Sequence, residues 1–287
     1  MRIFKRTFTN IRFMVQFAFT AISNGYLLGF IEGKIYRGAS KQICLPGLNC
    51  YSCPGAIASC PIGSLQAVMG DKNFKFSFYI IGFLMLIGVF LGRFVCGWLC
   101  PFGLVEDLLY KIPGKKIRKI PLDRFLRYFK FIVLGVFVLG MPLLFRNFAG
   151  YGTPWFCKLI CPSGTLLAGL PLILMNSSLR GIVSYLFYWK LAILIIIVLA
   201  SVFISRPFCK YICPLGAIYG LFNSFSLYKH QIYDGLCNKC GACQDRCPMN
   251  IEVYKRPNSI ECIRCGECIN SCPRGAIARM TNGGGQN

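Results

Sequence analysis

The chain has 287 residues, 55% of them hydrophobic, with a mean hydropathy of +0.55 and a formal net charge of +22. That apolar share exceeds the roughly 45–50% of soluble domains and argues against a soluble enzyme. The basic residues lie in loops beside apolar stretches, so membrane lipids and an acidic protein carrier are the expected counterparts, and nucleic acid is not.

Arg2, Lys5 and Arg6 precede the first apolar run with no small-residue cleavage site behind it. An inside anchor is therefore expected rather than a removable signal peptide. Four runs reach the roughly 20 apolar residues that a bilayer core requires: residues 11–31, 74–94, 125–145 and 182–204. Gln16, Asn24, Lys130 and Lys190 interrupt them and are expected to face the bundle interior or reach an interface. The loop between the second and third runs carries Lys111, Lys115, Lys116, Arg118 and Lys119, followed by Arg124 and Arg127. The connection after the third run has only Arg146, Lys158 and Arg180, and that after the first has Lys34, Arg37, Lys41 and Lys72. This bias predicts a multi-pass protein of the inner or plasma membrane with both termini in the cytoplasm.

The cysteines, 18 in all, follow a repeat. Arg93-x2-Cys96-x3-Cys100-Pro101-x-Gly103 closes the second run, and Arg206-x2-Cys209-x3-Cys213-Pro214-x-Gly216 closes the fourth. Cys60-Pro61-x-Gly63 and Cys161-Pro162-x-Gly164 correspond in the loops before them. Each half thus reads span, outer cysteine motif, span, inner cysteine motif. Halves with an even number of spans share one orientation, which predicts a pseudo-twofold axis along the membrane normal. Cysteines four apart share a helix face, so Cys96, Cys100, Cys209 and Cys213 are expected to hold one [4Fe–4S] cluster, with Arg93 and Arg206 offsetting its charge or snorkelling to the interface. Outside, Cys60, Cys157 and Cys161 are expected to ligate a second cluster with Cys53 as the fourth. Cys44 and Cys50 are then left as an outward redox dithiol; a second outer metal site, or Cys50 in place of Cys53, are the alternatives.

Near the C-terminus, Cys237-x2-Cys240-x2-Cys243-x3-Cys247-Pro248 is repeated as Cys262-x2-Cys265-x2-Cys268-x3-Cys272-Pro273. This is the bacterial two-cluster ferredoxin spacing, in which the fourth cysteine of each run crosses to the other cube. Cys237, Cys240, Cys243 and Cys272 are assigned to one [4Fe–4S] cluster, and Cys262, Cys265, Cys268 and Cys247 to its partner. Zinc sites use two pairs of ligands rather than two runs of four. His230 is the single histidine, with a surface or interdomain role expected rather than ligation.

These Cys-x3-Cys-Pro motifs beside apolar spans, together with the double ferredoxin run, resemble the NapH-like and NosR-like membrane polyferredoxins over roughly residues 74–280. The resemblance implies electron passage between a quinol pool or cytoplasmic donors and extracytoplasmic reductases. The chain departs from it in having no NosR-type outer flavin domain and in grouping Cys44, Cys50, Cys53 and Cys60.

The expected fold is mainly α: a polytopic membrane protein of four transmembrane helices in two pseudo-repeats, with a small α+β two-cluster ferredoxin domain. Its expected divisions are a first repeat (1–110), a basic inner linker (111–123), a second repeat (124–228), the ferredoxin domain (229–280) and a disordered tail (281–287). The expected function is a transmembrane electron conduit, an electron-transfer oxidoreductase component between an acidic carrier or reductase subunit on the cytoplasmic side and an extracytoplasmic redox partner. The alternatives are a quinol dehydrogenase subunit and a non-enzymatic redox sensor or scaffold.

Overall fold

A computed structural model describes residues 2–71, 78–118, 121–145, 152–176, 180–181 and 183–281, with side chains from residue 11 to 280. Lys72, Lys119, Arg146, the first residues of the second and fourth predicted spans, and the tail from residue 282 lie outside them. Helices dominate, and the sheet among these residues has two strands.

Two helices are long and apolar enough to cross a membrane, Asp123–Leu144 and Tyr185–Phe203, at the third and fourth predicted runs. Only 22% and 17% of their most apolar stretches are buried within the protein. Phe125, Tyr128 and Ile132 on one, and Tyr185, Ile196 and Leu199 on the other, face outward. A soluble core helix would bury these side chains, so the exposed apolar surface demands a covering. The first two runs contain shorter apolar helices, Ile11–Ser23 and Phe78–Leu91. The first run is not one helix: Asn24-Gly25 breaks it, and Leu27–Glu32 follows as a separate piece that ends at Gly33 with φ +63.

Two proline positions leave a mark. A π-helical segment at Leu134–Gly140 stops two residues before Pro142, and another at Thr165–Gly169 stops two residues before Pro171. Proline donates no hydrogen bond and crowds the preceding turn, and the helix widens ahead of it. The helix Pro162–Met175 that holds the second proline is apolar, although sequence alone did not mark it.

The remaining elements repeat in order. The apolar helices Phe78–Leu91 and Tyr185–Phe203 are each followed by a short cysteine-bearing helix, Phe94–Trp98 or Pro207–Tyr211. Each short helix leads into a helix that starts at Cys-Pro, Pro101–Tyr110 or Pro214–Phe222. In the C-terminal region, strand β1 (Tyr228–Ile232) pairs antiparallel with β2 (Ile277–Thr281), Tyr228 opposite Thr281 and Ile232 opposite Ile277. That ladder ties together the two ends of the region carrying the eight C-terminal cysteines. One apolar core runs through both halves and this region, joining Leu48, Phe102, Phe208 and Tyr219 to Met249 and Ile263.

Candidate iron–sulfur centres

Four helices begin at a Cys-Pro pair: those starting at Pro61, Pro101, Pro162 and Pro214. In each, the cysteine is the extended residue just before the helix and the proline opens it. Proline is well suited there because that N–H has no partner within the helix. The sulfur then faces the free N–H groups of the first turn, an electropositive setting. Burial pushes the Cys60 thiol up to about 12, while the N–H groups of Gly63 and Ile62 act against the rise. Cys161 is likewise raised by burial to about 11, with the N–H groups of Gly164 and Ser163 opposing.

Cys96, Cys100, Cys209 and Cys213 are all buried. Burial raises the Cys213 thiol most, and negative charge on Cys96 and Cys100 of the other half raises it further. The arginine and glycine of the motif explain how the halves are joined. Arg93 Nη2 donates to the Cys209 carbonyl at 3.0 Å, and Arg206 Nη1 donates to the Cys96 carbonyl. A Cβ on Gly103 would lie 3.2 Å from the Cys96 carbonyl oxygen, and one on Gly216 would lie 3.2 Å from that of Cys209. The guanidinium of each half therefore passes the glycine of the other to reach the same oxygen. This exchange pins the two cysteine motifs face to face.

Both arginines are also ion-paired. Arg206 bonds Asp107 through Nε (2.8 Å) and Nη2 (2.6 Å), and Arg12 approaches Asp107 at 3.2 Å. Arg93 pairs with Glu261 at 2.8 Å, and Lys130 pairs with the other oxygen of Glu261. Burial opposes ionisation of both carboxyls, but Arg206 and Arg12 hold Asp107 below the usual range, and Arg93 and Lys130 do the same for Glu261. The positive charge expected to offset a cluster is thus shared with carboxylates. Sequence reasoning missed both acids. Asp and Glu number only 10 in the chain, so an acid flanking an apolar run was the available signal.

The C-terminal region meets this junction directly. A methyl on Gly97 would overlap the Ile263 carbonyl. Trp98 Nε1 donates to the Arg264 carbonyl at 3.2 Å, and Asn223 Nδ2 donates to the Cys262 carbonyl at 2.8 Å. Within the region, one cavity is lined by Cys237, Cys240, Cys243 and Cys272, and another by Cys247, Cys262, Cys265 and Cys268. These are the two crosswise sets. Lys239 and Arg264 take φ of +55 and +53, and Gly241 and Gly266 take +78 and +80. The repeated left-handed residues curl each Cys-x2-Cys loop around its cavity at a cost in strain that lysine and arginine bear. Burial pushes the Cys247, Cys262 and Cys265 thiols up to about 11, so each keeps its proton at neutral pH unless a cation replaces it. His230 also lines the second cavity; it is buried, and burial with nearby Arg264 and Arg279 lowers its pKa to about 4.

A further cavity, of about 560 Å³, is lined by Cys50, Cys60, Cys157 and Cys161. Gln66 Nε2 donates to Cys157 Sγ at 3.3 Å and Lys190 Nζ to the Cys157 carbonyl at 3.1 Å. Cys53, the expected fourth member, is absent from the lining: its Sγ donates to Asn24 Oδ1 at 3.5 Å and is fully buried. Cys44 is buried and bonds Ser64 Oγ at 3.6 Å, and Ser64 lines the same cavity as Cys50. Gln16 Nε2 donates to the Cys100 carbonyl at 2.8 Å, so Gln16, Asn24, Lys130 and Lys190 all turn inward to the cysteine-bearing segments or their supports. Among the described residues, no three His, Cys, Asp or Glu side chains converge on a single-ion site.

Each of these sets brings four cysteines together, the ligand number of a [4Fe–4S] cube. A 4Fe-4S binding domain family matches residues 74–120 and 186–229, and a second 4Fe-4S binding domain matches residues 258–278. The chain belongs to the 4Fe-4S binding membrane polyferredoxins. Two uncharacterized proteins of Methanocaldococcus jannaschii are similar to this polyferredoxin, one 32% identical over 183 residues and one 29% identical over 194. Those alignments cover 63% and 65% of this chain and 69% and 64% of the relatives. The putative electron transport protein YccM of Escherichia coli is 26% identical over 185 residues, covering 62% of this chain and 48% of YccM. The match thus spans about two thirds of the archaeal relatives and about half of the bacterial one. No solved structure matches the polyferredoxin.

Proposed function

We propose that this polyferredoxin is a membrane electron-transfer protein that moves electrons between a cytoplasmic ferredoxin domain and an extracytoplasmic acceptor. The observation that carries this reading is the unbroken succession of cysteine sets. The Cys262 loop rests on Gly97 and Trp98 beside Cys96. The Leu48 N–H faces the Cys100 sulfur, and Leu48 and Cys50 both line the outer cavity. Tyr219, fully buried, donates its hydroxyl to the Pro46 carbonyl between the two sets. A [4Fe–4S] centre supplies one-electron chemistry when bound. Cys237, Cys240, Cys243 and Cys272 hold one; Cys247, Cys262, Cys265 and Cys268 hold the second; Cys96, Cys100, Cys209 and Cys213 hold the third. For the fourth, the outer cavity favours Cys50, Cys60, Cys157 and Cys161, with Cys44 and Cys53 remaining buried thiols.

In this reading the apolar runs 11–31, 74–94, 125–145 and 182–204 cross the bilayer, both termini are cytoplasmic, and residues 229–280 form the ferredoxin domain. The charge of +22 suits an acidic cytoplasmic carrier. Iron and acid-labile sulfide of the purified chain test the proposal: about sixteen of each per chain are expected at four clusters of four. A value near eight leaves only the ferredoxin domain and ends the conduit.

A second reading, quinone exchange, is favoured by a cavity of about 360 Å³ where Phe13, Tyr110 and Ile204 meet Arg12, Lys111 and Cys247. Reduction by a water-soluble quinol, blocked by enlarging Ile204→Trp, separates it from exchange with a protein carrier.

A further inference from the structure

His230 is the sole histidine of the chain, 2% exposed, and among the described residues neither ring nitrogen has a hydrogen-bond partner. A buried polar group without a partner is destabilising and calls for an explanation. The ring cannot swing away to find one. His230 is the central residue of β1, opposite Arg279, and on its other edge Asn258 clamps the backbone twice: His230 N–H donates to Asn258 Oδ1 and Asn258 Nδ2 donates to the His230 carbonyl, both at 2.9 Å. The strand thereby drives the imidazole into the cavity whose other polar lining includes Cys247, Cys262, Cys265 and Cys268. Met249, Ile251, Val253, Ile263, Arg264 and Gly266 complete the wall, and none offers a strong side-chain acceptor, since the guanidinium of Arg264 only donates.

We infer that His230 donates a ring N–H to a sulfur of the [4Fe–4S] cluster held by Cys247, Cys262, Cys265 and Cys268, and thereby sets that cluster's potential above that of an apolar-walled site. The inference rests on the reading of those cysteines as cluster ligands. A hydrogen bond to sulfur disperses negative charge and so favours the reduced state, which carries one more electron. His230 is a positioning and tuning residue here, not a ligand. The neighbouring set, Cys237, Cys240, Cys243 and Cys272, has no histidine in its cavity wall. The two ferredoxin clusters are therefore unequal, the one nearer the membrane junction having the higher potential.

Because the chain has one histidine, labelling all histidine with ¹⁵N reports on His230 alone. In the reduced native protein, pulsed electron paramagnetic resonance should detect a weak ¹⁵N coupling to one of the two ferredoxin clusters. Redox titration of His230→Leu should show that cluster shifted to a more negative potential and the other unmoved. His230→Gln, which keeps a donor, should restore part of the shift. Absence of ¹⁵N coupling in the native protein, or a coupling strong enough for direct iron ligation, overturns the inference, as does an unshifted potential in a cluster-loaded His230→Leu. If His230→Leu does not retain the cluster, the native coupling alone decides. Iron content and the signals of the two clusters stand apart from these readouts, so loss of the ligand reading would be seen as missing iron rather than missing coupling.

Discussion

Individual side chains decide which cysteine does what. Cys50 and Cys53 are both in a Cys-x-x-Cys segment, yet only Cys50 joins Cys60, Cys157 and Cys161 at the outer cavity, 3.6 Å from where a Cβ on Gly164 would stand. Cys50→Ser is expected to remove about four irons per chain, whereas Cys53→Ser should leave iron content unchanged, since its thiol is spent on Asn24. Equal iron loss from both would reject the assignment. Glu261 poses a second question at this scale, because it pairs with both buried cations, Arg93 and Lys130. Glu261→Gln leaves both charges buried against a neutral amide, and removal of one partner from such a site costs about 3–5 kcal/mol. Glu252→Gln, whose pair with Lys255 is more than half exposed, should leave the midpoint almost unmoved. Denaturant midpoints of the two variants check the contrast; similar values would mean that Glu261 is solvated.

Elements act in pairs related by the internal repeat, and their differences are as informative as their likeness. Arg93 and Arg206 hold equivalent positions, as do Asp107 and Gly220. Asp107 supplies the carboxylate for Arg206. In the other half glycine stands at the matching place, and a Cβ there would come within 2.9 Å of the Ile260 carbonyl. The vacated space admits the Cys262 loop, and Glu261 supplies the carboxylate that Gly220 cannot. The C-terminal region is thus docked by substituting for a side chain that the second half lacks. Since each arginine locks the opposite half, Cys96→Ser and Cys209→Ser should abolish the same paramagnetic signal while both ferredoxin signals persist. Loss of two different signals would show that the halves do not share a centre. The helix Asp123–Leu144 has a further role, contributing Lys130 from within an apolar run, where a charge is costly unless paired.

For the whole molecule, the question is whether the cysteine sets form a path across a hydrocarbon layer about 30 Å thick. Ferricyanide sealed inside lipid vesicles should be reduced by dithionite added outside when the loaded chain is present, and Cys96→Ser should bring the rate down to that of protein-free vesicles. An unchanged rate in the variant would remove the inner set from the path. The spacing of the C-terminal cysteines, the repeat and the apolar runs are legible in the sequence alone, because each is a periodicity along the chain: ligand spacing, motif recurrence and hydropathy. It did not mark the break at Asn24-Gly25 as the end of the first helix, since the apolar run continues beyond it. It put Cys53 before Cys50 as the fourth outer ligand, whereas Cys50 lines the cavity, because a loop with no regular period carries no side-chain direction. The reciprocal contacts of Arg93 with Cys209 and of Arg206 with Cys96, the insertion of Glu261 and the burial of His230 join residues 110 or more positions apart or depend on what a strand packs against. Such partnerships leave no periodic trace, because they are chosen by the fit of two surfaces that meet only after the halves have packed. Spacing along the chain therefore determined what chemistry this protein could hold, and tertiary packing decided which side chains surround it.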